Sequence, residues 1–283
     1  MIDAHTHIFP TSFQDKRDNF FADEPAFKML YSKKTSKFET VHGIIRDMDA
    51  DRVDASVVFG FPWKSADTFM RHNDYVIESV SSFPERLIGL SCFDPLSPYS
   101  AKEAERCFKL GLKGVGELAV YDSPLTDDII LKMNDVMAVC RDHDAPILMH
   151  VNEPVGHHYP GKQEITLKQI ENLIKRYPDN KIVLAHWGGG LFFYALLKKE
   201  VREAFKNVWV DTAASPFLYD PAIYKTAGTI IGYKKILFGS DYPLIKPGRY
   251  FKEMDSVGIE PEDMAKINGG NAFSLFNIQK VVN

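Results

Sequence analysis

The sequence predicts an α/β protein built as a (β/α)8 TIM barrel, and three observations predict it. Eight short apolar runs alternate with stretches of helical spacing along nearly the whole chain. The runs are almost continuous in Val, Ile and Leu, as in parallel strands covered on both faces. At 283 residues the chain has the size of one such barrel, which commonly occupies about 250.

Residues 2–9 are apolar and β-branched and form the first strand. Residues 11–37 follow, polar and aromatic without a clean period. A connection of that length is usually functional, so it reads as a β-to-α loop insertion overhanging a site. Val41, Ile44, Ile45 and Met48 have helical spacing within residues 41–51, and residues 55–61 form a strand ended by Pro62. Helix 66–82 carries Phe69, Tyr75, Val76 and Val80 near one face and stops at Pro84, and strand 87–93 stops at Asp94-Pro95. Helix 101–110 leads to a Gly-rich strand at 112–118, and helix 127–141 buries Ile129, Ile130, Met133, Val136, Met137 and Cys140 ahead of strand 147–151. Helix 167–177, strand 182–186, helix 191–205, strand 208–212, helix 222–231 and strand 236–240 complete the ring. Short helices at 250–257 and 262–276 finish the chain. No linker or shift of composition marks a boundary, so a single domain over residues 1–283 is expected.

Composition narrows the partners. Hydrophobic residues are 45% and charged residues 25%, ordinary for a globular protein, which argues against disorder. A net charge of -4 with no long Lys/Arg run excludes a polybasic nucleic-acid surface. Cys92, Cys107 and Cys140 are too few and scattered for a disulfide framework, which fits a reducing cytosol. No charged leader precedes the first strand and no apolar run approaches about 18 residues, so a cytoplasmic protein without membrane attachment is expected. Oligomeric state is left open, with a homo-oligomer allowed.

In a β/α barrel the chemistry sits at the carboxyl ends of the strands. The first strand carries His5 and His7, two apart and therefore on one side of the sheet. The fourth carries Glu117, the fifth His150, the sixth His186 and the eighth Asp241, each interrupting or ending an apolar run. Burying any one of them alone would cost several kcal/mol, whereas a shared cation would stabilise all of them. Imidazole nitrogens and carboxylates are the donors that a divalent ion of the first transition row takes.

Together these residues resemble the amidohydrolase superfamily of metal-dependent hydrolases, in particular the amidohydrolase-related branch that contains aminocarboxymuconate-semialdehyde decarboxylase. The likeness runs from Asp3-Ala4-His5-Thr6-His7 to Gly239-Ser240-Asp241-Tyr242-Pro243, and Asn268-Gly269-Gly270-Asn271-Ala272 is similar to the closing segment of that branch. The resemblance implies a barrel of the metal-dependent hydrolase type. It implies that His5, His7, His150 and Asp241 bind a primary metal. His186 matches the histidine that activates water, polarises the substrate or binds a second ion, and Glu117 is similar to a glutamate bridging two metals in some relatives. The implied cofactor is one or two divalent ions, zinc first, with manganese, nickel or iron(II) as alternatives.

The physics is consistent with those roles. A divalent ion with one position left for water can lower that water's pKa towards about 7. Asp241 could take the proton, and His186 is matched to proton transfer near neutrality. The sequence therefore predicts a metal-dependent hydrolase cleaving an amide, ester or lactone of a small organic acid through activated water. The alternative is a metal-dependent non-oxidative decarboxylase of a small aromatic or unsaturated carboxylic acid. Trp187, just past the sixth strand, and His158, in the loop after the fifth, are the candidate contacts to a small-molecule substrate. His42, His72 and His143 read as structural or solvent-facing.

Overall fold

The eight apolar runs pair in chain order, each parallel to the next, into one sheet. The computed structural model describes residues 1–278, so the last five residues of the expected 1–283 domain lie outside the described residues. The strands are β1 Ile2–His7, β2 Ala55–Phe59, β3 Leu87–Ser91, β4 Gly114–Leu118, β5 Ile147–Met149, β6 Ile182–Leu184, β7 Val208–Asp211 and β8 Ile236–Leu237. The expected (β/α)8 fold is what forms. Backbone bonds close the ring: Ala4 N–H to Phe238 O at 2.7 Å, Asp241 N–H to His5 O at 3.0 Å and His7 N–H to Tyr242 O at 2.7 Å. A Cβ on Gly239 would lie 2.7 Å from His5 Cβ, so only glycine allows β8 to approach β1 this closely.

The period of two sorts the strand side chains. Ala55, Val57 and Phe59 of β2, Ile88 and Leu90 of β3, Leu148 of β5, Val183 of β6 and Leu237 of β8 share one buried cluster. Val58 and Leu87 instead join Ile44, Met48 and Val76 from the helices outside. Ala272, Leu275 and Phe276, in and just after the terminal helix Asn271–Leu275, belong to the first cluster and cap its end away from the strand exits. Outer helices start where the sequence supplies caps. The Thr40 and Ser65 hydroxyls accept from the N–H groups of Gly43 and Thr68, and Thr166 and Gln169 form a reciprocal capping box.

Five elements differ from expectation. The helix expected over 127–141 divides into Asp127–Lys132 and Asn134–Asp142. The helix expected over 191–205 is a 3-10 coil, Leu191–Leu196, then a short helix, Lys199–Ala204. Leu191, Phe192 and Ala195 are buried while Phe193, Leu196 and Leu197 stay exposed, so that run has no continuous apolar stripe. The sixth and eighth strands end at Leu184 and Leu237, short of the expected 186 and 240, because the chain leaves the sheet to present His186 and Asp241. The helix expected over 262–276 breaks into three turns at Gly269, whose φ is 148°.

Residues 11–37 carry three short helices, Thr11–Asp15, Arg17–Phe20 and Pro25–Tyr31. Phe13 and Phe27 from this segment are buried against Trp63, whose ring lies 5.5 Å and 4.4 Å from theirs. Glu24 is buried beside them and accepts N–H groups from Lys64 at 3.1 Å and Ser65 at 2.9 Å. That carboxylate fastens the segment to the loop leaving β2. Among the described residues no helix is long and apolar enough to cross a membrane.

Candidate metal centre

Local backbone irregularities aim the donor side chains. Between the pairs Asp3–Ser56 and Thr6–Val58, three steps along β1 match two along β2. This extra residue changes the phase of the strand, so His5 and His7 both turn to the interior, where their rings meet Phe59 at 5.2 Å and 4.7 Å. The same mismatch recurs between β4 and β5, where Val115 pairs with Ile147 and Leu118 with Met149. Gly116 lies inside it with φ 144°, and a Cβ there would be 2.5 Å from Leu148 Cβ; this glycine lets Glu117 enter the ring. His186 and Asp241 both adopt left-handed backbone, φ 53° and 59°, each at a cost of about 1–3 kcal/mol that the surrounding bonds must offset. Asp3 helps do so at β8, accepting the Ser240 N–H at 2.9 Å and hydroxyl at 2.5 Å.

The donor atoms converge in two triads that share His5. His5, His7 and Asp241 offer donor atoms within 4.8 Å of one another, as do His5, Glu117 and His186. His5 Nε2 lies 3.6 Å from Asp241 Oδ1 and 3.7 Å from Glu117 Oε2, and His7 Nε2 lies 3.5 Å and 3.7 Å from the same two atoms. His186 Nε2 is 3.5 Å from Glu117 Oε1. Each of these histidines is held from behind through Nδ1: His5 by Asp211 Oδ2 at 2.8 Å, His7 by Gly60 O at 3.0 Å and His186 by Ala213 O at 3.1 Å. Backbone carbonyls and a carboxylate only accept, so Nδ1 carries the proton and Nε2 keeps its lone pair towards the cluster.

That arrangement fits a divalent cation. His5 Nε2 is buried and has no hydrogen-bond partner, an unusual state for a polar atom in a folded protein. Glu117 and Asp241 form ion pairs only with histidines among the described residues, so no lysine or arginine neutralises them. The electrostatics express the same need. Burial works to raise Glu117, yet His5 and His150 hold it well below the usual carboxylate range. Burial likewise opposes ionisation of Asp241, and contacts with His7, His5 and His186 bring it down to about 2. Burial disfavours charge on His5 and His186, but Asp211 and Glu117 lift His5 well above an ordinary imidazole, and Glu117 and Asp241 raise His186 to about 9. Two ionised carboxylates in a buried ring call for positive charge, from protons or from a cation between them.

The remaining expected residues stand elsewhere. His150 lies at the edge of the cluster, with Nδ1 2.9 Å from Glu117 Oε1 and Nε2 3.2 Å from Gly161 O. Its ring is 5.0 Å from that of His186. Trp187 is fully buried, its Nε1–H donating to Ser215 Oγ at 2.5 Å and its ring 5.2 Å from Tyr224. His158 is exposed on the loop after β5. The sequence reading passed over Asp211, which accepts from His5 Nδ1–H and from the N–H groups of His186 at 2.9 Å and Ala213 at 3.0 Å. Its signal was present: Asp211 ends the apolar run Val208-Trp209-Val210, as the other polar residues end theirs.

Eight parallel strands that gather histidines and carboxylates at their carboxyl ends define a barrel enzyme of the amidohydrolase superfamily. The amidohydrolase family model matches residues 2–278, and the chain belongs to that family. It is 24% identical over 337 aligned positions to the 2-amino-3-carboxymuconate-6-semialdehyde decarboxylase of Dictyostelium discoideum, covering 98% of this chain and 91% of the relative. The 5-carboxyvanillate decarboxylase of Sphingomonas paucimobilis has the same fold, with a TM-score of 0.78, 19% identity and 99% of each chain covered. The dihydroxybenzoic acid decarboxylase of Polaromonas sp. JS666, solved with bound manganese and the inhibitor 2-nitroresorcinol, has a TM-score of 0.72 at 22% identity, covering 98% of this chain and 96% of that one. These relatives correct the expectation of a hydrolase: they are named decarboxylases, and they favour the alternative reading.

Proposed function

We propose that the chain is a metal-dependent, non-oxidative decarboxylase of a small aromatic or unsaturated carboxylic acid. One observation carries the reading: 98% of the chain matches a named decarboxylase, and its strand exits meet in a donor cluster suited to a divalent ion. His5, His7 and Asp241 would hold the ion; Glu117 and His186 form the second triad with His5, and His150 adjoins through Glu117. A cation bound there would supply positive charge that draws in a carboxylated substrate and fixes its orientation. Manganese is the ion to load first, since a related barrel holds it, and zinc suits the same mixed donors.

In the reaction the carbon bearing the carboxyl group takes a proton, and the bond to the carboxyl carbon breaks. Its electron pair returns to the ring, and carbon dioxide leaves. The chain's part is to orient the acid and to hold and move that proton, and Asp241 and His186 are the groups assigned to it. The three cysteines are free and buried, which supports residence in a reducing cytoplasm. Manganese-loaded protein given hydroxylated benzoic acids in D2O is expected to release carbon dioxide and leave one deuterium at the vacated carbon. Product carrying solvent oxygen-18, with no carbon dioxide released, would overturn the reading.

A further inference from the structure

We propose that Tyr31 and Tyr121 set substrate choice at this centre by flanking a planar ring and donating their phenol O–H groups to its oxygen substituents. The inference rests on the decarboxylase reading and adds to it which chemical groups on the acid are recognised.

The two tyrosines come from separate loops and share one aromatic wall. Tyr31 ends the helix Pro25–Tyr31 of the segment after β1, and Tyr121 follows β4 three residues beyond Leu118. Tyr121 is stacked on Phe61, with planes 6° apart and centroids 6.2 Å apart, and Tyr31 meets the same ring edge-on at 83° and 5.9 Å. Tyr121 also lies 5.6 Å from the ring of His150, which places this wall beside the donor cluster. Flat apolar surfaces next to a charged centre suit a planar, conjugated ligand.

The hydroxyls give the wall its polarity. Tyr177, Tyr242 and Tyr250 each donate to a protein acceptor. Tyr31 and Tyr121 are half-buried, and no protein partner for either hydroxyl occurs among the described hydrogen bonds. A phenol keeps its proton at neutral pH, so both hydroxyls are donors there. No lysine or arginine pairs with Glu117 or Asp241 among the described residues. A ligand held here therefore meets neutral O–H donors along its ring, while its negative charge is left to the cation. Pockets that present unpaired donors discriminate against ligands lacking the matching oxygen.

The test compares two probes on manganese-loaded protein: 2-nitroresorcinol, which carries two ring hydroxyls, and benzoate, which carries none. The readout is the ratio of their dissociation constants within each of wild type, Tyr31→Phe and Tyr121→Phe, with metal content measured alongside. A ratio cancels any general loosening of the fold or loss of metal. The expected result is that each variant loses about tenfold of the preference for 2-nitroresorcinol, with benzoate binding little changed. An unchanged preference in both variants would overturn the inference and leave the decarboxylase reading standing. Failure of the metal-loaded wild type to bind either probe would overturn that reading, and the inference with it.

Discussion

Asp211 accepts the Nδ1 proton of His5 at 2.8 Å, with neither side chain exposed to solvent. The same carboxylate takes the backbone N–H of His186 at 2.9 Å, so one residue at the end of β7 orients an imidazole from β1 and the chain after β6. Replacing Asp211 with Asn is expected to lower affinity for manganese or zinc by about 10–100-fold, because the amide can offer its NH2 to Nδ1 and turn the His5 lone pair away from the cluster. Competition with a coloured chelator measures this. Wild-type affinity in the variant would show that His5 is oriented by other means.

Metal should also stabilise the fold. Ligand at a hundred times its Kd contributes about 2.7 kcal/mol, and for a chain of this size each kcal/mol moves Tm by about 2–4 °C. Adding manganese or zinc to chelator-treated protein is therefore expected to raise Tm by about 5–10 °C, and His5→Ala should abolish the increase. Equal increases in the two proteins would place the stabilising ion somewhere other than this cluster.

Glu24 is a buried carboxylate whose partners are the backbone N–H groups of Lys64 and Ser65. Hydrogen bonds to charged groups contribute about 1.5–3 kcal/mol. Glu24→Ala should destabilise the protein by about 2–3 kcal/mol in urea unfolding. It should also open residues 11–37 to limited proteolysis before the barrel itself is cut. Cleavage that begins in the barrel would contradict this order.

His72 gives a pH dependence one layer behind His7, beside Gly60. Its Nδ1 accepts the Trp63 indole N–H at 2.8 Å and its Nε2–H donates to Ile8 O at 2.7 Å, as the neutral ring requires. Burial pushes its pKa down to about 4, from 6.5. The unfolded chain then binds more protons between those values, so the contribution is complete above pH 6.5 and is lost as pH falls towards 4. The loss is about 3 kcal/mol. Urea titrations of wild type and His72→Gln at pH 7.5 and 4.5 should show a smaller drop in the variant. Parallel drops would mean that other groups govern the acid limb.

Much of this was legible in the sequence, and what was hidden has physical causes. The order of strands followed from apolar runs and helical spacing, which report burial directly. The inward turn of both His5 and His7 depends on an extra residue in β1 that no periodicity shows. His150 could be assigned to the exit of β5, but its ring is held between Glu117 and the carbonyl of Gly161, 11 residues further on. Trp187 was placed near the site by position alone. The left-handed backbone from His186 to Gly190 turns it into the core, where it meets Tyr224 and Phe192. Asp211 carried the same signal as its neighbours in the ring, but it falls inside the stretch 208–212 read as the seventh strand, where position alone does not separate a residue facing the site from one facing the helices. The choice between hydrolysis and decarboxylation was not visible in the donor residues, because both reactions use the same ligand types.

The seam between β8 and β1 has a consequence for the life of the chain. Asp241 reaches His5 only when the eighth strand has paired with the first, so a nascent polypeptide holds an incomplete donor set until residue 241 has been synthesised and that pairing has formed. An ion held by this cluster, as proposed, would be captured only after that pairing. Under the same proposal, the metal acquired would depend on what the closed barrel encounters, where abundance weighs alongside affinity.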